Sequence, residues 1–411
     1  MLWESDSEDG TLVTWSSATA RCDNVHLAAG DFIKVTVKSV DKSKDPYPQA
    51  GLTTSVGDSW DWADLKSMNM PTAGNYYYEI TADMLEKINS HNSIFFKGTA
   101  AYLSKVELIP NRSYPVLWTS DSGDGTLVTW SSVTARCDNV HLAAGDVIKV
   151  TVKSVDTTID PYPQAGLTTS VGDSWDWAEL KSMNMPTAGS YYYEITADML
   201  EKINSHNSIF FKGTAAYLSK VELLKNVAVT IGEYEWATFV SDYALDFTGS
   251  DVKAYLVLGH TGTALTKSQI TGTVPANTPL LLNAAKGNYT IPAVASSTTN
   301  VSTNLLKAGA GAAVSAESGK TKYVLSVTAG KAEFQKINTT AATVPTGKAY
   351  LEFNEAIEAR SLDIDEGGTT AIDVISKKQD ASGEYYDLQG RRVAQPKKGL
   401  YIVNGKKVII K

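Results

Sequence analysis

DFIKVTVKSV, Asp31 to Val40, decides how the rest of the chain is read. Ile33, Val35 and Val37 alternate with Lys34, Thr36 and Lys38. A period of two marks an antiparallel strand with one face buried and one face wet. Working outward, TLVTW, NVHLA, QAGLTTS, NYYYEIT, SIFFKGTA and LSKVELI read as further strands. Turn residues punctuate them at EDG, AAGD, KDPYP, VGD and PTAG. One short helix fits TADMLEKINS, with Thr81 as N-cap and Asp83 in the first turn. Roughly seven or eight short strands in one such stretch predict an all-β domain, a β-sandwich of jelly-roll type.

The whole pattern then occurs a second time. Residues 2–109 align without gaps onto 117–224, with differences only at 4, 8, 18, 32, 42, 43, 44, 64, 75 and 109. A period this long exceeds that of solenoid repeats, so the copies, 1–110 and 116–225, read as two domain-sized beads. NRSYP, residues 111–115, is the polar linker between them. Residues 226–365 are rich in Thr, Ala, Val and Gly and hold one tryptophan, Trp236. Their runs KAYLVL, TPLLLN, KYVLSV and KAYLEF predict a third β-sandwich. Residues 366–411 form a short C-terminal β-rich segment. There Asn404-Gly405 signals a hairpin, and Arg391, Arg392, Lys397, Lys398, Lys406, Lys407 and Lys411 gather positive charge.

Composition excludes several classes. The chain has 411 residues, enough for about three domains. A net charge of -8 argues against nucleic acid as a partner. No run approaches the ~18 apolar residues that membrane insertion by a helix requires. Met1 is followed directly by LWESDSEDGT, without a charged or apolar leader, and residue 2 already belongs to the repeated module. The start therefore reads as a cut in a longer protein, or in a processed one, with room for a catalytic domain upstream. Cys22 and Cys137 hold equivalent places in separate modules, which disfavours a disulfide and makes each a small buried hydrophobe.

Signs of catalysis are weak, and the chain is read as not an enzyme. His26, His91 and their copies His141 and His206 lack a second ligand at metal-binding spacing, and His260 stands alone. Two acidic clusters, Asp58/Asp61/Asp64 and Asp6/Glu8/Asp9, contain enough carboxylates for a glycosidase pair. Glu8 becomes Gly123 in the second copy, so it cannot be essential to both. The turns SDSEDGT and SDSGDGT lack EF-hand spacing; solvated turns are the plainer reading, with structural calcium the alternative. No cofactor is implied.

The tryptophans are more informative. VGDSWDWADLKSMNMP, Val56 to Pro71, and its copy from Val171 to Pro186 place Trp60 and Trp62, and again Trp175 and Trp177, among aspartates. A pyranose has an apolar C–H face and a belt of hydroxyls; an indole covers the first and neighbouring polar side chains take the second. If SWDWA is extended, Trp60 and Trp62 share a face about 6–7 Å apart. The alternative is that at least one ring plugs the end of the sandwich. Trp15 and its copy Trp130 are weaker candidates, and Trp3 is assigned to the core. Two weak sites on one repeating polymer can raise apparent affinity on the order of 10²–10⁴-fold.

The order LW…TW…GD-I-K-V-T-V…QAGL…GDSWDWADL…YYYEITADML…IFFKGTAAYLSKVEL resembles β-sandwich carbohydrate-binding modules attached to plant-polysaccharide hydrolases of gut and rumen bacteria. LWES and LWTS depart from the IWEG-like opening of that family at the last position. The resemblance implies a platform of Trp60, Trp62, Trp175 and Trp177, with Gln49 and Gln164 as hydroxyl partners. EYEWATFVSDYALDF with NTPLLLNAAKGNYTIP and GKAYLEF resembles an accessory sandwich domain of secreted proteins from the same bacteria. YYDLQGRRVAQPKKGLYIVNGKKVIIK is similar to C-terminal sorting domains of type IX secretion. Together they imply a secreted or cell-surface protein that binds plant cell-wall polysaccharide, a β-glucan or related hemicellulose. The alternative is a structural or adhesive surface protein binding a host protein or glycan.

Overall fold

The computed structural model describes residues 1–55, 62–89, 93–170, 177–204, 208–364, 373–375, 385–387, 392–393, 398–403 and 406–410. The chain divides into two compact units, Met1–Asn226 with Ala293–Ala295, and Val227–Pro292 with Ser296–Lys411.

In the first unit the first module contains β1 (Trp3–Glu4), β2 (Thr11–Leu12), β3 (Thr19–Asp23), β4 (Phe32–Val40), β5 (Gln49–Ser55), β6 (Trp62–Asn69), β7 (Gly74–Glu79), α1 (Ala82–Asn89), β8 (Ser93–Thr99) and β9 (Ala101–Ile109). One antiparallel sheet runs β1-β9-β4-β7, with β2 also on β9; the other runs β3-β8-β5-β6. Counting β1 and β2 as one broken strand, this is the strand order of a jelly roll. Ile33, Val35 and Val37 face inward as the alternation requires, and meet Leu52, Tyr78, Ile94 and Phe96 between the sheets. Thr81 caps α1, its Oγ1 accepting the Met84 N–H at 3.2 Å.

The second module repeats every element: β10 (Val116–Thr119), β11 (Thr126–Leu127), β12 (Thr134–Asp138), β13 (Val147–Val155), β14 (Gln164–Ser170), β15 (Trp177–Asn184), β16 (Gly189–Glu194), α2 (Ala197–Asn204), β17 (Ser208–Thr214) and β18 (Ala216–Leu224). Its sheets have the same order.

Three local expectations need correction. NVHLA is not a strand: β3 ends at Asp23, and Asn24 turns the backbone into the left-handed region at φ 56°. His26 therefore lies on an irregular, exposed stretch. TLVTW is extended only at Thr11–Leu12, leaving Trp15 in a bend. Residues from Trp62 onward, absent from the strands read in the sequence, form β6, the edge strand of the four-stranded sheet.

The modules are not separate beads. Phe32, Tyr77 and Tyr114 form one buried cluster with Val147, Tyr192 and Leu224. Tyr77 packs on its own counterpart Tyr192 at 5.2 Å between ring centroids, and Phe32 meets Tyr192 edge-on at 5.1 Å. Asn75 donates to Glu194 at 2.7 and 2.8 Å, and Lys149 reaches back to Glu79 at 3.9 Å. The same patch serves both copies, which makes the contact isologous. Tyr114 shows that the linker itself is partly interior.

Cys22 and Cys137 are free and buried. Burial, then the neighbouring Asp23 or Asp138, pushes the thiols up to about 11 and about 12. The reactive thiolate is therefore scarce in the folded chain. We expect a disulfide-exchange reagent at pH 8 to titrate neither thiol until denaturant is added, and both thereafter. Rapid reaction of the native chain would contradict this packing.

In the second unit a four-stranded sheet of Asn226–Ile231, Gly287–Val294, Ala244–Asp246 and Thr273–Val274 accompanies a nine-stranded sheet. Val229, Leu245 and Ile291 from the first share a core with Leu256 and Leu282 from the second, which is a sandwich. A second cluster around Tyr323, Phe334 and Leu351 lines the rest of the larger sheet. Toward the C-terminus, Gly399–Val403 pairs with Lys406–Ile410, Val403 opposite Lys406. Asn404 and Gly405 lie outside the described residues, as do Arg391, Lys397 and Lys411.

Candidate functional site

The outer face of β3-β8-β5-β6 gathers the singled-out residues. Ala50 and Leu52 of β5 point into the core, so Gln49 and Gly51 face outward. Ile94 and Phe96 of β8 point inward, which turns Phe95 and Lys97 outward. Gly51 stands opposite Ser67 on one side and Lys97 on the other. A register shift between Leu52 and Thr53 bulges β6. That bulge leaves Trp62, Asp64, Ser67 and Asn69 exposed while Leu65 and Met68 pack on the core.

Lys97 organises this face. Its Nζ donates to the Trp15 carbonyl at 2.8 Å and sits 4.9 Å from the centroid of the Trp62 ring. The residue is only 7% exposed, whereas Trp15 and Trp62 are 46% and 40% exposed. A buried ammonium is retained only when paired. Here a carbonyl and an indole face pair it, and in return it ties the Trp15 bend to the edge strand. The second module reproduces the arrangement: Lys212 donates to the Trp130 carbonyl at 2.8 Å and lies 5.0 Å from the Trp177 ring.

Opposite Lys97 the sheet carries a glycine, Gly51. A Cβ at Gly51 would stand 2.9 Å from Asp64 Oδ1 and 3.1 Å from Ser67 Oγ, so glycine lets those groups lean over the sheet. Ser67 donates to Asp64 at 3.0 Å. Glu179 replaces Asp64 in the second copy and leans over Gly166 likewise. Beneath, the buried Tyr78 hydroxyl donates to the Ala50 carbonyl at 2.8 Å; burial first, then Tyr76 and Asp64, drive its pKa well above the ordinary value. Two half-exposed indoles beside carboxylate and hydroxyl groups can cover a flat apolar face and bond its polar rim.

The sequence singles out Trp15, Trp62 and Gln49, and their copies Trp130, Trp177 and Gln164, and the structure places each set on one sheet face or at its border. Trp60 and Trp175 lie outside the described residues, as do Asp58, Asp61, His91 and His206. Trp3 packs partly buried against the core, as assigned. Asp6, Glu8 and Asp9 are exposed on a turn whose amides are satisfied by Ser5 and Ser7. Among the described residues, no three His, Cys, Asp or Glu side chains converge as a metal site. Lys97 escapes the sequence reading, although a lone lysine inside the apolar run SIFFKGTA is a visible signal. Tyr47 and Tyr162, 75% and 74% exposed just before β5 and β14, escape it as well.

Lys97→Met keeps the apolar stem and removes both the donor and the charge. Leaving the Trp15 carbonyl without its partner costs about 1–3 kcal/mol. We expect the tryptophan emission of the variant to change and the first module to melt at lower temperature. Unchanged emission and melting would mean that the lysine holds nothing.

No protein-family model matches the chain, and no curated protein matches it. Among solved structures it is similar to the Bacteroides ovatus mixed-linkage glucan utilization locus SGBP-B in complex with a mixed-linkage heptasaccharide. The identity is 14% and the TM-score 0.22, over 53% of each chain. The match thus spans about half the length of that structure, and at this score it carries no weight here.

Proposed function

We propose that the two modules bind plant polysaccharide, a β-glucan or related hemicellulose, without catalysing any reaction on it. The observation that carries this reading is a pair of half-exposed tryptophans tied to one buried lysine, Trp62 through its ring and Trp15 through its backbone carbonyl, an arrangement present twice. A ring that merely completes a core has no need of exposure, and a mobile surface ring has no need of a clamp. Fixing the Trp62 ring and the Trp15 backbone in advance lowers the ordering cost of binding. Pyranose units stack on Trp15 and Trp62, and on Trp130 and Trp177, while Asp64 or Glu179 and Gln49 or Gln164 meet hydroxyls. Trp60 and Trp175 are proposed as further contacts. The chain serves as the accessory part of a secreted or surface-held protein, alongside a glycoside hydrolase domain of the same full-length protein.

Affinity gel electrophoresis tests this. Gels containing soluble mixed-linkage β-glucan, xyloglucan or xylan are expected to retard the full chain relative to a glycan-free gel. Equal mobility in every gel would overturn the reading and favour an adhesive protein with a proteinaceous partner.

A further inference from the structure

Two copies of one stretch of sequence meet across a cleft. Beside their buried aromatic contact the modules enclose a cavity of about 870 Å³. That is the size of a ligand site, and such sites favour domain interfaces. The first module contributes eleven residues between Lys66 and Tyr77, and the counterpart of each, between Lys181 and Tyr192, lines the cavity from the second. Gln164, Glu194, Thr196 and Met199 complete it. Each module supplies one wall, so neither copy holds this site alone.

The cleft joins the two indole-bearing faces. Ser67 and Asn69 are exposed on β6 with Trp62 and Asp64, and both also line the cleft. Ser182 and Asn184 repeat this on β15 with Trp177 and Glu179. Gln164, paired with Asn184 across the strands, lines it too. Trp62 and Asn69 are the two ends of β6, about 20 Å apart in an extended strand. A track from Trp62 along β6, through the cleft and along β15 to Trp177 is therefore roughly 40–50 Å long.

The walls are fixed and nearly neutral. Asn75 and Glu194, both in the lining, bond across the modules at 2.7 and 2.8 Å, and Thr36 donates to the Asn75 carbonyl at 2.7 Å. Tyr77 and Tyr192, 5.2 Å apart, line the cleft as well. A cleft formed in advance spares the ligand an ordering cost. Met68, Pro71, Tyr76 and their copies offer apolar surface, while Ser67, Asn69, Thr72 and theirs offer uncharged donors and acceptors. Among the described lining residues Lys66, Lys181 and Glu194 carry charge, and Glu194 acts against Lys181. Such a lining suits a neutral chain with apolar faces and a hydroxyl rim.

We infer, resting on the glycan reading above, that the cleft is a third binding site created by the pairing of the modules, and that one polysaccharide chain runs through it from the Trp62 face to the Trp177 face. A chain held on one face and seated in the cleft is presented to the second face at high effective concentration. The cleft adds to a chain already held by the indoles. Oligosaccharides shorter than the track occupy the two faces separately; a chain longer than it engages both faces and the cleft at once.

The test blocks the cleft reversibly. Ala73 and Ala188 are exposed in its lining, on the turns that follow β6 and β15. Ala73→Cys and Ala188→Cys are made separately in the full chain. Cys22 and Cys137 are buried, so glutathione disulfide modifies the new thiol alone and reductant removes the adduct. Calorimetry with a short mixed-linkage β-glucan oligosaccharide should count two per protein, with or without the adduct. A β-glucan fraction just longer than the track should bind one per protein, on the order of 10²-fold more tightly than the short one. The adduct should cut that affinity about ten-fold or more, and reductant should restore it.

Two long chains per protein, or long-chain affinity untouched by either adduct, would overturn the inference; two short oligosaccharides bound in the same samples leave the glycan reading standing. Intact long-chain binding with a dimer that the adduct splits, seen by sedimentation velocity, would give the cleft to a second copy of this chain and overturn it likewise. Absence of glycan binding by every form overturns both.

Discussion

Replacing Trp15, Trp62, Trp130 and Trp177 together by alanine is expected to abolish glycan binding while the chain stays folded. Each indole offers about 100 Å² of apolar surface to a ligand, worth about 2.5 kcal/mol at the usual area coefficient. Two rings per site then account for about 5 kcal/mol, between three and four orders of magnitude in affinity. The rings are also partly packed, so each module should lose about 2–4 kcal/mol of stability. A melting temperature lower by roughly 5–15 °C follows, with the sheet signature intact at room temperature. Calorimetry and circular dichroism on one sample check both halves. Retained affinity in the folded variant would remove the indoles from the site.

The second large effect is on the scaffold under the site. Gly98 of β8 stands opposite Ala50 of β5, and a Cβ there would lie 2.0 Å from the Gln49 carbonyl oxygen and 2.9 Å from the Ala50 Cα. Those are backbone atoms, so no side chain can swing aside. Gly98→Val must therefore pull β8 off β5, and the cost is expected to be about 3 kcal/mol or more. Lys97 is the preceding residue, so the clamp on Trp15 and Trp62 goes with it. The readout is local: Cys22, buried beside β8, should react with thiol reagents in the otherwise native chain while Cys137 stays protected. Protection of both thiols with unchanged melting would show that the strand pair accommodates the extra atoms.

Much of this fold can be read from the chain. DFIKVTVKSV, QAGLTTS and SIFFKGTA announce their strands because apolar residues hold their inward positions and turn residues bound them. Threonine at the start of TADMLEKINS announces a helix for the same local reason. β6 is obscure because WADLKSMN has no β-branched residue, and its bulge slips the alternation midway. β3 is obscure in a related way: TARCD carries its own irregularity between Thr19 and Cys22, with Ala20 at φ 52°.

Within the site, the indoles are legible by type, since tryptophan beside aspartate is unlike core composition. Lys97 is not, because its role depends on a ring and a carbonyl brought from distant segments. The module contact leaves a faint trace. Three of the positions that differ between copies, Phe32/Val147, Asn75/Ser190 and Ile109/Leu224, fall at or beside it. An isologous contact made by a covalent tandem meets the linker on one side only, and Tyr114 packs 6.4 Å from Phe32. Copies in unequal surroundings need not keep equal residues.

The most direct measurement follows the indole N–H resonances of the nine tryptophans in the ¹⁵N-labelled full chain, assigned by single Trp→Phe variants. Added soluble β-glucan oligosaccharide is expected to shift the signals of Trp15, Trp62, Trp130 and Trp177 and to leave those of Trp3, Trp118 and Trp236 in place. Four stationary signals at those exposed rings, with the oligosaccharide in large excess, would contradict the account.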